Sequence, residues 1–328
     1  MKKRTNLLAA LFAATGMMAL ILDSKAALQG AQEGVKLCIQ TLIPSLFPFF
    51  FLSNILSASM MGRRLRLLKP IGRLCRIPEG SEYILLCGFL GGYPVGGQCI
   101  GDGLNARILS KQDARRMLPF CNNCGPAFLF GITSYLFERW YVSWFLLFIQ
   151  MLSAIAAGMI LPGGGGNCIP EKKREVSVIE SLQHAIRSIT AVCGWIIIFK
   201  TFLTFLHRWV MWYFPTEIQV ITSGILELSN GCISLTSIPD VRVRFILCAG
   251  FLSFGGFCVA MQSFFAAGSS DKQLYFPGKV LQCSIAMTLA SLGCGWQLWY
   301  IPAIIALCLS LFLQKNRKTC RNLQPVDV

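Results

Sequence analysis

The sequence predicts an all-α polytopic membrane protein made of two repeat halves with re-entrant or broken helices. Of its 328 residues, 54% are hydrophobic and only 14% are charged, whereas soluble domains carry about 25% charged residues. Several apolar runs reach the roughly 20 residues that a helix needs to span a bilayer. Glycine and proline interrupt some of these runs in both halves of the chain.

The distribution of basic residues indicates cytoplasmic loops rather than a nucleic-acid interface. The net charge is +15, and the basic residues cluster just outside the apolar runs, at 2–4, 63–76, 107–116, 172–174 and 315–321. Positive charge beside membrane helices is typical of cytoplasmic loops. The lipid bilayer is therefore the predicted surrounding, and no nucleic-acid partner is predicted.

The fifteen cysteines do not predict a disulfide scaffold, because most lie inside apolar segments and behave there as small hydrophobic residues. Cys121 and Cys124 form one C-x-x-C pair, but a zinc site needs a second pair of ligands. The chain has only two histidines, His184 and His207. No metal and no cofactor are predicted.

Residues 1–36 are predicted to hold an N-terminal transmembrane helix, at about 7–22, followed by a loop. A basic start, an apolar run and a small-x-small site at Ser24-Lys25-Ala26 also fit a signal peptide. An uncleaved helix that acts as a signal anchor is the preferred interpretation, and a cleaved signal peptide is the alternative.

The first repeat half is assigned to 37–161. Its predicted elements are a helix at 37–61, a basic connector at 62–80, interrupted segments at 83–100 and 117–137, and an uninterrupted helix at 140–161. A re-entrant hairpin at 83–100 would keep the basic stretch 101–116 on the cytoplasmic side, so this topology is preferred over an outright crossing.

A glycine-rich basic linker at 162–178 separates this half from a second one at 179–314, and 315–328 is a cytoplasmic tail. The second half has a helical run at 185–214, interrupted segments at 218–238 and 243–268, and final helices near 273–292 and 296–313. A short motif occurs in both halves, as YILLCGFLGGYPVGGQ and RFILCAGFLSFGGFCVAMQ. Paired interruptions of this kind point to the substrate site of a transporter.

The interruptions carry the candidate substrate-binding residues. A helix broken inside a bilayer survives only where protein or a water-filled cavity covers the break, and its half-helix N-terminus can hold an anionic group. Polar residues at this depth are functional candidates. The predicted set is Tyr93, Gly96, Gln98, Asn122, Asn123, Glu227, Asn230 and Gln262.

Glu227 is predicted to be the deepest acid and to take a coupling proton, with sodium as the other candidate ion. Each feature also has a structural interpretation. The Gly91-Gly92 pair can serve close helix packing, Asn122 and Asn123 can form interhelical hydrogen bonds, and Glu227 can reach water at an interface.

The motifs GFLGGYPVGGQ, RMLPFCNNCGPAFLFG, LELSNGC and GFLSFGGFCVAMQ resemble those of the sporulation integral membrane protein family typified by YlbJ. That family is related to the nucleoside-recognition (gate) domain membrane proteins. Members typically have Ser-Gly-Tyr-Pro where this chain has Gly91-Gly92-Tyr93-Pro94. The resemblance runs over roughly 35–300 and implies a multi-pass protein of the bacterial inner membrane, with re-entrant hairpins similar to those of concentrative transporters. It also implies a link to spore formation and to dipicolinic acid, a small dicarboxylate.

The function expected from these observations is transport of a small, anionic solute, similar to dipicolinate. The alternatives are a transporter for a nucleoside-type solute and a structural or assembly protein of the spore envelope without transport. An intramembrane enzyme is not expected, because the H-E-x-x-H motif is absent and no nucleophile–base pair can be named. No catalytic residue is assigned, and a homo-oligomer is left open.

Overall fold

The computed structural model describes residues 2–163, 177–268 and 272–321, and these residues form helices joined by short turns. The linker predicted at 162–178 lies almost wholly outside the described residues, as does the end of the predicted tail beyond 321. Within the described ranges the α-helices are α1 Lys2–Leu22, α2 Ser24–Leu37, α3 Ile43–Met60, α4 Lys69–Leu74, α5 Glu82–Leu90, α6 Val95–Asn105, α7 Lys111–Cys121, α8 Pro126–Leu136, α9 Trp140–Ile160, α10 Val178–Trp209, α11 Thr216–Leu226, α12 Leu228–Ser234, α13 Val241–Phe254, α14 Gly256–Ala266, α15 Tyr275–Gly293 and α16 Tyr300–Arg321.

Four helical stretches of the described chain are long and apolar enough to cross a membrane: Ser24–Met60, Trp140–Ile160, Val178–Trp209 and Val241–Ala266. The first of them joins α2 to α3 through a π-helical turn, Cys38–Leu42. Its 37 residues extend over about 55 Å at 1.5 Å per residue, well beyond the roughly 30 Å of a bilayer core. The prediction of an all-α membrane protein agrees with this architecture.

The loop predicted before residue 37 is wrong, because α2 occupies that stretch. The Asp23 carboxylate accepts a hydrogen bond from the Ala26 N–H at 3.2 Å and so restarts the helix directly after α1. The segment is too polar to resemble a membrane helix, but its buried face consists of the small residues Ala26, Gly30 and Gly34. A β-carbon on Gly30 would lie 2.7 Å from the Thr201 Cα of α10, so glycine allows the two backbones to pack closely.

Two pairs of short helices fold back on themselves as hairpins. In the first, α5 and α6 pack antiparallel: a β-carbon on Gly88 would lie 3.5 Å from the Gly96 Cα, and one on Gly103 would lie 3.7 Å from the Ile84 side chain. In the second, α11 and α12 approach so closely that a β-carbon on Gly231 would lie 2.7 Å from the main-chain nitrogen of α11 at Gly224. We call these pairs hairpin A and hairpin B.

Two further helix pairs are interrupted without being hairpins. The chain between α7 and α8 is extended at Asn122 and Gly125, and α8 begins at Pro126. Proline suits a first helical turn because its missing N–H would be unpaired there anyway. The chain between α13 and α14 turns at Gly255, with φ +83°, a conformation that favours glycine. The interruptions predicted at 83–100, 117–137, 218–238 and 243–268 are therefore all present.

The order hairpin, interrupted helix, uninterrupted helix occurs on both sides of the 164–176 gap. It is hairpin A, α7–α8 and α9 before the gap, and hairpin B, α13–α14 and α15 after it. The continuous α2–α3 stretch and the long helix α10 precede the two sets and pack against each other. This arrangement brings all four interruptions into the interior, between the long helices.

Arg116 illustrates a buried cation with a structural role. Its guanidinium is fully buried and donates to the main-chain oxygens of Gly158, at 2.7 Å, and Leu161, at 3.2 Å, at the end of α9. It also donates to the Cys75 oxygen at the end of α4. The unpaired carbonyls at the end of a helix favour a cation, so these helix ends account for Arg116.

Candidate functional site

The four chain interruptions meet one another. A β-carbon on Gly92, at the tip of hairpin A, would lie 2.7 Å from the Gly125 Cα of the α7–α8 interruption. One on Gly255 would lie 2.9 Å from the Tyr93 hydroxyl, and one on Gly256 would lie 3.2 Å from main-chain oxygens of α11. The Gly92 contact with the Gly125 backbone leaves no space for a side chain. Gly92, Gly255 and Gly256 also have positive φ angles, of +76°, +83° and +82°, a conformation that favours glycine. Main-chain polar groups of four segments are thereby gathered at one place.

Lys279 of α15 is fully buried beside these interruptions. Its Nζ donates to the main-chain oxygen of Asn122 at 2.6 Å and to the Gln282 Oε1 at 3.0 Å. The Tyr93 hydroxyl and the Ser253 main-chain oxygen each lie 3.4 Å from it, and the centroid of the Tyr93 ring is 5.1 Å away. These partners from the described residues are all uncharged. The ammonium is therefore solvated by neutral oxygens and by an aromatic face.

A network of buried amides surrounds the lysine. The Gln282 Nε2 donates to the Asn123 Oδ1 at 2.7 Å, and the Asn123 Nδ2 donates to a main-chain oxygen of α7 at 2.7 Å. The Asn122 side chain donates to the Ser263 hydroxyl at 2.5 Å and accepts from the Gly97 N–H at 3.3 Å. This network links α6, α7, α14 and α15, and it fixes the geometry around the ammonium.

Glu227 forms the tip of hairpin B, and its carboxylate is buried. It accepts from the main-chain N–H groups of Ser229, at 2.9 Å, and Asn230, at 2.7 Å. The carboxylate is thus the N-cap of α12. The N–H groups that the sequence predicts to be free for an anion are here occupied by the chain's own carboxylate.

A small cavity of about 50 Å³ lies between the tips of the two hairpins. Its polar lining comes from Tyr93, Glu227, Ser229 and Gln262, together with the main chain at Gly125. We call it the inner cavity. It has room for about three to four water molecules, which is too little for a ring-sized solute. Tyr93 separates it from Lys279.

A second, larger cavity of about 630 Å³ lies between α2, α10 and hairpin B, and we call it the vestibule. Asn230 lines the vestibule and not the inner cavity. Its Oδ1 accepts a hydrogen bond from the Lys200 ammonium, which also pairs with the Glu33 carboxylate at 3.2 Å. His207 lies at the same wall, where its Nε2 is 2.9 Å from the Ser223 hydroxyl.

Two predicted residues lie in helix contacts. Gln98 of α6 donates to the Asn54 Oδ1 of α3 at 2.7 Å and accepts from the Ser188 hydroxyl of α10 at 3.2 Å. It therefore ties three helices together. Gly96 lets α6 approach α7, because a β-carbon there would lie 2.9 Å from the Asn122 Cα.

The structure thus divides the predicted set into three groups. Tyr93, Glu227 and Gln262 line the inner cavity, Asn122 and Asn123 belong to the lysine network, and Gly96, Gln98 and Asn230 lie elsewhere. Sequence analysis missed Lys279 and Gln282. The signal was present, because Lys279 is an ionisable residue inside the apolar run predicted as the helix 273–292.

Among the described residues, no group of three or more His, Cys, Asp or Glu side chains is placed to hold a metal ion. Cys121 and Cys124 are both buried free thiols. The Cys124 thiol donates to the Gly125 main-chain oxygen at 3.6 Å, which gives it a packing role beside the interruption.

Comparison with known proteins supports the membrane assignment. The chain is 24% identical to the sporulation integral membrane protein YlbJ of Bacillus subtilis (strain 168) over 285 residues, which cover 73% of this chain and 70% of that relative. No family model and no solved structure matches it. The chain is an all-α membrane protein, and its resemblance to the YlbJ-type sporulation integral membrane proteins is confirmed.

Proposed function

We propose that the protein is a membrane transporter for a small anionic solute and that Lys279 recognises the solute's carboxylate. The observation that carries this proposal is the fully buried ammonium, whose described hydrogen-bond partners are all neutral. Removing an ammonium from water costs several kcal/mol unless an opposite charge compensates for it. A carboxylate that binds next to Lys279 recovers part of this cost, which gives the site a preference for anions.

The position of Lys279 supports transport rather than a purely structural role. Arg116, the other buried cation described above, lies at helix C-termini, where carbonyl groups favour a cation. Lys279, in the second turn of α15, also donates to carbonyl oxygens at helix ends, those of Asn122 after α7 and Ser253 near the end of α13. It differs from Arg116 in lying beside a cavity, because the Tyr93 ring that it contacts lines the inner cavity. A small displacement of hairpin A, which carries Tyr93 at its tip, would open the cavity to the ammonium.

We also propose that the two sets of hairpin, interrupted helix and uninterrupted helix are structural repeats. Their common order of elements supports this, as does the meeting of all four interruptions at one place. Transporters built in this way bind substrate between the repeats and move one against the other. Alternating access would then expose Lys279 to each side of the membrane in turn.

Dipicolinate is the proposed solute, because the family that the sequence resembles is linked to this dicarboxylate. The relative is named a sporulation integral membrane protein, so the proposed setting is the inner membrane of a spore-forming bacterium. Deleting the gene in its own host should lower the dipicolinate content of the spores, and a plasmid copy should restore it. Unchanged dipicolinate in the deletion strain would contradict this role.

Solute flux into proteoliposomes tests the proposal. Purified protein would be supplied with dipicolinate, succinate or uridine, and the wild type would be compared with Lys279→Met. The matched control is Lys272→Met, because Lys272 is an exposed lysine seven residues earlier. We expect saturable dipicolinate flux in the wild type and in Lys272→Met, and its loss in Lys279→Met.

Other outcomes separate the alternatives. Uridine flux without dipicolinate flux would contradict the anionic solute and favour a nucleoside-type transporter. Lys279→Met protein that elutes as the wild type does and still carries dipicolinate would remove Lys279 from the site. Folded wild-type protein that carries none of the three solutes would favour a structural protein of the spore envelope.

A further inference from the structure

The vestibule contains a lysine that is already paired with a carboxylate of the chain. The Lys200 ammonium lies 3.2 Å from the Glu33 Oε2, and their side chains are 20% and 44% exposed. Lys200 also donates to the Asn230 Oδ1. The Asn230 Nδ2 is buried and has no described hydrogen-bond partner. The ammonium and this amide group are therefore two neighbouring donors, and only the ammonium is bonded to an acid.

A single helical turn separates the vestibule from the inner cavity. Ser229 lines the inner cavity and Asn230, the next residue, lines the vestibule. The Glu227 carboxylate accepts from the main-chain N–H groups of both. The partition between the cavities is thus the first turn of α12, and a solute in the vestibule is one turn away from the inner cavity.

We propose that the vestibule is a first binding site for a small carboxylate, in which the solute displaces Glu33 from Lys200 and, after a rotation of the Asn230 side chain, accepts a hydrogen bond from its Nδ2. The inference rests on the proposed transport of an anionic solute and adds a second site to it. Glu33 forms the ion pair with Lys200 while no solute is bound in the vestibule. The bound solute then lies beside the α12 partition that leads to the inner cavity.

The chemistry of the exchange favours reversibility. One carboxylate replaces another, so the charge next to Lys200 is unchanged and the charge-assisted hydrogen bond is formed again. Ion pairs with a partly exposed partner contribute little free energy, and Glu33 is such a partner. The volume of about 630 Å³ is within the range of about 300–1,000 Å³ that small-molecule sites occupy.

The test uses the opposite changes in KM that we expect when Glu33 and when Lys200 is replaced. The KM for dipicolinate uptake would be measured in proteoliposomes for the wild type, Glu33→Gln and Lys200→Met. Glu33→Gln removes the competitor and should lower the KM by about two- to five-fold, in proportion to the weak pair that it breaks. Lys200→Met removes the ammonium that binds the solute's carboxylate and should raise the KM by about five-fold or more.

A control and a second measurement keep the result interpretable. Glu79→Gln removes an exposed carboxylate that pairs with Arg64 at 2.9 Å, and it should leave the KM unchanged. Equilibrium binding of radiolabelled dipicolinate to detergent-purified protein gives a readout that needs no transport, and it should change in the same directions. If Lys200→Met is not recovered in folded form, Lys200→Gln replaces it.

Two results would overturn the inference. A pair that serves only stability would change the KM in the same direction when either partner is removed, or would not change it. If this occurs while Lys279→Met still abolishes flux, the vestibule site fails and the proposed function survives. If the folded wild type neither binds nor carries dipicolinate, both fail.

Discussion

The Nζ of Lys279 lies 2.6 Å from the main-chain oxygen of Asn122. This oxygen needs a partner because the chain leaves α7 at Asn122, which has extended backbone angles. In an uninterrupted helix a main-chain N–H four residues later would satisfy it. An acceptor left unpaired in a protein interior costs about 1–3 kcal/mol. The buried lysine and the interrupted helix are therefore parts of one arrangement. The Asn122 oxygen lowers the free-energy cost of burying the ammonium, and the ammonium lowers the cost of leaving that oxygen outside a helix.

Replacing Lys279 with methionine should abolish flux without loss of stability. The change leaves the Asn122 oxygen without this donor, which costs about 1–3 kcal/mol, but it also removes the several kcal/mol of ammonium desolvation. We expect the Tm in detergent to be equal to that of the wild type or higher. A large fall in the Tm of Lys279→Met, absent in the exposed control Lys272→Met, would instead assign the lysine a structural role.

Glu227 should contribute to stability through its cap and to coupling through its charge, and two substitutions separate these. Glu227→Ala removes both accepted N–H bonds and should destabilise the protein by about 1 kcal/mol. Glu227→Gln keeps one amide oxygen as an acceptor and should be milder. If Glu227 carries the coupling proton, Glu227→Gln also abolishes the dependence of uptake on an imposed pH gradient. Uptake by Glu227→Gln that retains its pH dependence would end the proton role.

The close contact within hairpin B should make Gly231 intolerant of a methyl group. A β-carbon there would lie 2.7 Å from the Gly224 nitrogen, whereas one on Gly194 of α10 would meet nothing within 4 Å. Gly231→Ala should lower the free energy of unfolding by about 1–3 kcal/mol, the usual cost of overpacking. Gly194→Ala should raise it by about 0.5–1 kcal/mol, since alanine loses less backbone entropy in a helix. Equal effects of the two substitutions would contradict the hairpin packing.

Sequence analysis located the helix interruptions well, because glycine and proline both disfavour a continuous helix and stand out inside apolar runs. It failed at α2, whose polar composition hides a buried stripe of small residues at Ala26, Gly30 and Gly34. It predicted a hairpin at 83–100, where hairpin A lies, but it did not distinguish the hairpin at 218–238 from the interrupted helices at 117–137 and 243–268. The motif repeated at 83–98 and 244–262 lies on hairpin A in one case and on α13–α14 in the other. The order of elements therefore supports a repeat better than this motif does.

The candidate site was predicted only in part, because helix contacts between distant segments decide which polar residues meet. Tyr93 and Glu227 are 134 positions apart (227 − 93), and both line the inner cavity. Gln98 is five residues from Tyr93 and yet faces α3 and α10. Gln98 was assigned to the site only because it is close to Tyr93 in the sequence. Ionisable residues in apolar segments are functional candidates, and this rule selected Glu227 although it applies equally to Lys279.

The hydrogen bond of 2.7 Å between the Gln282 amide and the Asn123 Oδ1 should couple these residues energetically. Asn123→Leu and Gln282→Met preserve volume but leave one buried polar partner unpaired, so each should cost about 1–3 kcal/mol. The double substitution removes both partners and should cost less than the sum, by about 0.5–3 kcal/mol. Gln98→Met is the matched control, because Gln98 bonds to Asn54 and Ser188 instead, and its effect should add to that of Asn123→Leu. Thermal unfolding in detergent measures all of these variants. Additive effects of Asn123→Leu and Gln282→Met would show that the network around Lys279 is not formed as described.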